Sequence, residues 1–205
     1  MPAKQRQSFC LLVVGISNQA SGNYSFIGAG VGNFTAGQGS SIVGGNNGTV
    51  RSIVGNAVFP ACNSPIANAT GVSQGALLIL GRETTNATAT VLCSDSSAAS
   101  GTNQVVLSNN SAYYFKGSVI ANVTAAANGA SWSFEGSIMR GANAASTVLI
   151  GTPMLNRVGA TAGATAWSIT VTADTTNGAL AITVTGAAAT TIRWVAKIET
   201  TEVTF

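Results

Sequence analysis

Apolar and small polar residues alternate along most of this chain, and the alternation has two textures. Between residues 11 and 58 the apolar units are short: two apolar residues followed by glycine, as Val13-Val14-Gly15, Phe26-Ile27-Gly28, Ile42-Val43-Gly44 and Ile53-Val54-Gly55. Ser25, Ser41 and Ser52 precede the last three pairs, and Asn18, Asn33, Asn46 and Asn56 follow. Self-similarity of this kind predicts stacked coils, in which each short pair is buried only against its equivalent in the next coil. Glycine and asparagine supply the tight turns between coils. The spacing of the pairs is uneven, which leaves the number of complete coils open. One coil has little interior, so association of several chains is expected to supply the missing core. Pro60 and Pro65, among Asn, Ser, Ala and Gly, predict that the repeat ends in a linker over 59–75, because proline rejects a central strand position.

From Ala76 the apolar runs lengthen. Strands are predicted at 76–82, 90–93, 104–107, 113–124, 131–138, 146–155, 167–173, 180–184 and 191–203. Phe115, Val119, Ala121 and Val123 fall on one face of their strand; Trp132, Phe134 and Ile138 on one face of theirs; Trp167, Ile169, Val171 and Ala173 on one face of another. Asn177-Gly178 joins this last run to Leu180, Ile182 and Val184, a strong hairpin signal. In the final strand Ile192, Trp194, Ala196 and Ile198 face in, while Arg193, Lys197 and Glu199 face out. No amphipathic helix is evident. The expected fold is all-β: a short β-roll or solenoid-like region at 11–58, then a jelly-roll-like β-sandwich over 76–205, the whole trimeric.

Composition narrows the chemistry. Of 205 residues only 7% are charged, against 46% hydrophobic, so Ser, Thr, Asn and Gly must keep the surface wet. The net charge is +3, and the basic residues form no cluster with interleaved aromatics, so nucleic acid is not an expected partner. There is no histidine, which removes Ser-His-Asp and Cys-His devices and the commonest metal ligand. Cys10, Cys62 and Cys93 form neither a disulfide framework nor a zinc site and are read as reduced thiols, in keeping with assembly in a reducing cytoplasm. The apolar run 9–16 behind Lys4 and Arg6 imitates a leader but is read as a first strand, and no membrane insertion is expected. The seven Asn-x-Ser/Thr sequons follow from the Asn, Ser and Thr content.

The carboxylates Glu83, Asp95, Glu135, Asp174, Glu199 and Glu202 are the remaining catalytic candidates. Each has a structural reading at a turn, an outer strand face, a loop border or the chain end. The expectation is therefore no enzyme, no cofactor and no metal. Trp132, Trp167 and Trp194 are read as core. Tyr113 and Tyr114 are adjacent, so one points in and one out. Tyr114 with the polar loop at Asn109 and Asn110 is the candidate receptor-binding site, since loops carry function more often than scaffolds.

Two stretches resemble known families. Ser21-Gly-Asn-Tyr-Ser-Phe-Ile-Gly28 with Asn33, and Ser41-Ile-Val-Gly-Gly45 with Asn46, resemble the head repeats of trimeric autotransporter adhesins, which also occur in phage tail fibres and spikes. That resemblance implies left-handed β-rolls from three chains packed side by side. Gly75-Ala-Leu-Leu-Ile-Leu-Gly-Arg-Glu-Thr-Thr-Asn-Ala-Thr88 looks like the start of a C-terminal module of phage tail-fibre proteins. Asn103-Gln-Val-Val-Leu107, Trp132-Ser-Phe-Glu-Gly136, Arg140-Gly-Ala-Asn143, Thr172-Ala-Asp-Thr-Thr-Asn-Gly178 and Ile192-Arg-Trp-Val-Ala196 are similar to it too. The resemblance implies a homotrimeric virion protein, a tail fibre or spike that binds a host-surface glycan or protein. Residues 1–10 would attach it to other virion proteins. A head-fibre or baseplate part and a glycan-degrading spike are the alternatives.

Overall fold

The structure is a computed structural model that describes residues 11–12 and 15–205. The expected attachment segment, Cys10 and the pair Val13-Val14 lie outside the described residues. Strand dominates. The helical pieces among the described residues are single 3-10 turns at Thr124–Ala126, Ala144–Ser146 and Ala162–Ala164.

The first strands are β1 (Leu11–Leu12), β2 (Gln19–Ala20), β3 (Phe26–Ile27), β4 (Phe34–Thr35), β5 (Ser41–Ile42) and β6 (Ala57–Pro60). They pair in parallel, each residue with the one fifteen further on: Leu11 with Phe26, Phe26 with Ser41, Gln19 with Phe34. Isolated bridges Ile16↔Val31, Val31↔Asn46 and Phe34↔Thr49 keep the same step. Only the last step gains a residue, with Ser41 opposite Ala57. The coil is therefore more regular than the sequence spacing suggested. Leu12 is in register with Ile27, the place that the sequence repeat gave to Val14. The expected fourth pair, Ile53-Val54, is not a coil strand: it lies in a turn, and Ile53 is buried in the core of the following sandwich. Val58 of β6 takes its place opposite Ile42.

Side chains explain the step. Ile27, Ile42, Val50 and Val58 stack as a thin buried line. Asn33, fully buried, donates from Nδ2 to the carbonyls of Ala29 and Gly45, and its Oδ1 accepts from Gly48 N–H at 2.8 Å. Asn18 repeats this one coil earlier, donating to Gly30 O and accepting from Asn33 N–H. Each asparagine thus ties its own coil to the turn of the next, as a second donor to a carbonyl that already accepts a backbone N–H: Gly30 O from Ile16 and Gly45 O from Val31. Gly30 has φ 103°, and a Cβ there would strike the carbonyl of Gly45, so only glycine fits.

β6 then pairs antiparallel with β7 (Ser73–Thr84), so the segment expected as a linker begins and ends inside strands. Pro60 is tolerated because it is the last residue of β6, and Ala61 next to it supplies the N–H that Ser73 O accepts. β8 (Thr90–Val91), β9 (Val105–Val106), β10 (Ser111–Val123), β11 (Gly129–Arg140), β12 (Val148–Ala160), β13 (Ser168–Asp174), β14 (Ala179–Thr185) and β15 (Ile192–Thr204) follow. A nine-stranded sheet runs β1-β3-β5-β6-β7-β15-β10-β11-β12 from the coils into the terminal half. There its long antiparallel strands face a smaller sheet, in which β14 pairs β13 on one side and β8 and β9 on the other.

Period-two alternation buries one face of the long strands. Leu78 and Leu80 of β7, Phe115 and Val119 of β10, Trp132 and Phe134 of β11, and Trp194 and Ile198 of β15 meet Trp167, Ile169, Leu180 and Ile182 from the other side. Trp194 is the centre: it stacks on Trp132 at 5.8 Å, lies against Trp167 at 5.8 Å, and its Nε1 donates to Thr84 Oγ1 at 2.9 Å. The strand expected from Ser146 starts at Val148, because Asn143 caps a 3-10 turn over Ala144–Ser146. Gly151 and Pro153 sit where the β11–β12 register shifts.

Candidate functional site

Polar groups gather over open space at several places on the outward face of the long sheet; one hollow, of about 310 Å³, is lined by Lys116, Glu135, Lys197 and Glu199, and two further places hold the candidates. The first holds the residues singled out from the sequence. Asn109 and Asn110 are exposed in the turn entering β10, where Asn110 adopts φ 55°. The backbone of Asn110 donates to Gly141 O and accepts from Phe205 N–H, tying the chain end to this corner. Tyr113 points in, its hydroxyl accepting from Ser108 N–H. Tyr114 points out, and its hydroxyl donates to Glu135 Oε2 at 3.1 Å. That hydrogen bond, with the nearby negative charge, raises the phenol above its usual value. Asn110 and Tyr114 do not share a cavity. Asn110 lines a hollow of about 460 Å³ with Met139, Arg140, Val203 and Phe205. Tyr114 lines an adjoining one of about 300 Å³ with Ser137, Ile150 and Thr201. Asn109 lines neither.

The second place was not anticipated. β15 and the turn Cys93–Ser96 flank β7, which Cys93 joins through a bridge to Gly81. Gly81 lies in the lining of a groove of about 600 Å³, with Ile79, Glu83, Ser94, Asp95, Arg193 and Val195 among its other walls. The turn is held from behind. Arg82 donates to Ser96 O at 2.8 Å and Ser97 O at 2.6 Å. Buried Asn103 donates to Asp95 Oδ1 and Ala98 O. Burial works to raise the Asp95 carboxyl, but hydrogen bonds from Ser97 and Asn103 outweigh it and hold the group below its usual value. Opposite, Arg193 Nε donates to Glu83 Oε2 at 2.8 Å across strands β15 and β7. Burial pushes the Cys93 thiol up, which keeps it protonated.

The acidic side chains are all engaged within the chain: Glu83 with Arg193, Asp95 with Ser97 and Asn103, Glu135 with Tyr114, Asp174 with Asn177, Glu199 with Lys116 and Lys197, and Glu202 with Arg51. Glu83 and Asp95 nevertheless line one groove, a convergence that loop and strand positions alone did not reveal. Among the described residues no group of three His, Cys, Asp or Glu could hold a metal ion, and no helix is long and apolar enough to cross a membrane.

No family model matches the sequence. No curated protein matches it. Among solved structures, the chain is similar to the tailspike protein of Acinetobacter baumannii bacteriophage Fri1, described as a capsular polysaccharide depolymerase. Identity is 10% and the TM-score 0.36, over 86% of this chain and 32% of that one. It is also similar to the tailspike protein of Acinetobacter baumannii phage AM24, at 11% identity and a TM-score of 0.31, over 88% of this chain and 33% of that one. The chain spans about a third of the length of these tailspikes. The expectation that the chain is not an enzyme is corrected by the first of them, a tailspike described as a depolymerase. Absence of histidine excludes a Ser-His-Asp device, yet carboxylate chemistry needs none.

Proposed function

We propose that this chain is a phage virion protein, a tail fibre or spike component, that carries a host-attachment surface at the end of a stem. The observation that supports this most is the unbroken sheet: parallel coils pass through β6 directly into the antiparallel face of the terminal sandwich. Such continuity joins the coils to a broad surface on which Glu83, Lys116, Glu135, Arg193, Lys197 and Glu199 lie. The resemblance of the coil and terminal motifs to fibre and spike proteins points the same way. In this reading the protein is a homotrimer in the virion tail, assembled in the host cytoplasm. Residues 1–10 dock on other virion proteins, and the partner at the cell surface is a glycan or protein. The trimer accounts for β12, an edge strand exposed on both faces yet carrying Val148, Ile150, Met154, Leu155 and Val158. A bare apolar edge of that length invites pairing or cover.

Adsorption tests the proposal. Fluorescently labelled full-length chain, incubated with a panel of bacterial strains, is expected to coat the cells of some and to block virion adsorption to them. Coating of no strain would end the attachment reading. Titration of new reducing ends in the same incubations reports whether a bound glycan is also cut.

A further inference from the structure

We propose that the groove over Gly81 is a binding site for a neutral saccharide, an inference that rests on the attachment reading and names its ligand. Three observations converge there.

The walls set an apolar side against a polar one. Ile79 and Val195 line one side, 48% and 47% exposed. Ile120, opposite Val195 on β10, extends the patch. Apolar side chains left bare together on one face mark an interaction site rather than random exposure. They offer a dry platform for the C–H face of a pyranose ring. Facing them are the Ser94, Asp95 and Ser96 turn and the Glu83–Arg193 pair, acceptors and donors suited to hydroxyls.

Hydrogen-bonding capacity is also left over. Arg193 engages Glu83 through Nε, so its terminal amino groups have no partner among the described residues. Behind the wall, Arg82 Nε and Ser94 Oγ are buried without a partner. Folded chains seldom leave such atoms unmatched, and a ligand or an ordered water is the common reason.

The site is rigid before any ligand arrives. Arg82 and Asn103 fix the turn from behind, and the β7–β15 ladder fixes the other wall, so little ordering opposes binding. Charge selects the class. Arg82 and Arg193 balance Glu83 and Asp95, so no net field favours an acidic or a basic polymer. The volume lies in the range of small-ligand clefts, about 300–1,000 Å³.

The experiment uses full-length protein against an immobilised panel of purified bacterial surface polysaccharides, neutral and acidic, with Ile79→Ser and Ser96→Trp as variants. Both positions are exposed, and Ser96 binds Arg82 only through its carbonyl, so the substitutions leave the fold's anchors in place. Wild type is expected to bind one or more neutral polysaccharides. Both variants, with wild-type molar mass and melting midpoint, should bind at least about tenfold more weakly. If Ser96→Trp fails to fold, Ile79→Ser carries the test alone. Undiminished binding by the folded variants overturns the proposal. So does loss of binding in Tyr114→Ala instead, which moves the site to the Asn110 corner, or binding only to acidic members that salt abolishes. Coating of cells without binding to any polysaccharide overturns the saccharide groove and leaves the attachment reading standing. Binding to neither removes both.

Discussion

Trp194 shows at the scale of one residue how much of the terminal sandwich hangs on a few side chains. Its indole touches Trp132 and Trp167 and is 1% exposed. Trp194→Ala should cost about 3–5 kcal/mol, read as a lower midpoint in urea denaturation. Gly178, at φ 66° in the β13–β14 turn, has the Arg140 guanidinium against the place where a Cβ would be. Arg140 in turn donates to Leu107 O at 2.7 Å. Gly178→Val should therefore lower the melting midpoint twice over, by backbone strain and by displacing Arg140. Asp95 ties pH to the same half of the molecule. Its native value is depressed, so the stability it contributes is complete above the unfolded value of about 4 and is lost as pH falls through the native value. Urea unfolding at about pH 5 and about pH 2.5 should show wild type losing more stability than Asp95→Asn between the two.

At the scale of the element, alternation and turn chemistry were largely legible. The long strands β7, β10, β11 and β15 fall within a few residues of where the apolar pattern put them, and on β10, β11 and β15 the expected faces are buried. Asp174 and Asn177 close the expected hairpin, with Asp174 Oδ1 accepting from Thr176 and Asn177 N–H. The coil was legible in kind but not in register. Apolar pairs were aligned on the glycine after them, whereas the structure aligns residues fifteen apart and keeps Asn18 and Asn33 in equivalent places. The reason is that the coil is set by the asparagine bonds between successive turns as much as by the apolar line. Asn33→Ala removes a side chain that serves Ala29, Gly45 and Gly48. The loss should be about 2–3 kcal/mol, with early melting of the coil signal in circular dichroism.

For the whole molecule the decisive contact joins residues far apart in the chain. Arg51, in the turn that ends the coils, makes a two-pronged ion pair with Glu202 of β15, at 2.6 and 3.0 Å. Gln74 and Thr200 also donate to Glu202, and Arg51 lies 5.3 Å from the Tyr113 ring centre. The Glu202 side chain has no exposed surface. Removing one partner strands a buried charge, so Glu202→Ala should cost about 3–5 kcal/mol. The double variant Arg51→Met, Glu202→Leu should recover much of that loss, because the ion pair's desolvation offsets most of its attraction. Light scattering on the full-length chain should give the mass of three chains of 20.4 kDa; a monomer would remove the trimer from the proposed function.

The sequence by itself determined an all-β protein with a coil-like first part, long amphipathic strands after it, tryptophans in the core, and no device built on histidine. These are local facts: strand period, turn residues and residue type act over a few positions. Only the tertiary structure decided the fifteen-residue register, the joining of coil and sandwich in one sheet, the Arg51–Glu202 lock, and the meeting of Glu83 with Asp95 above Gly81. Each depends on which strand lies beside which. Pairing of that kind is chosen by the burial of the whole face at once, not by any short run of residues.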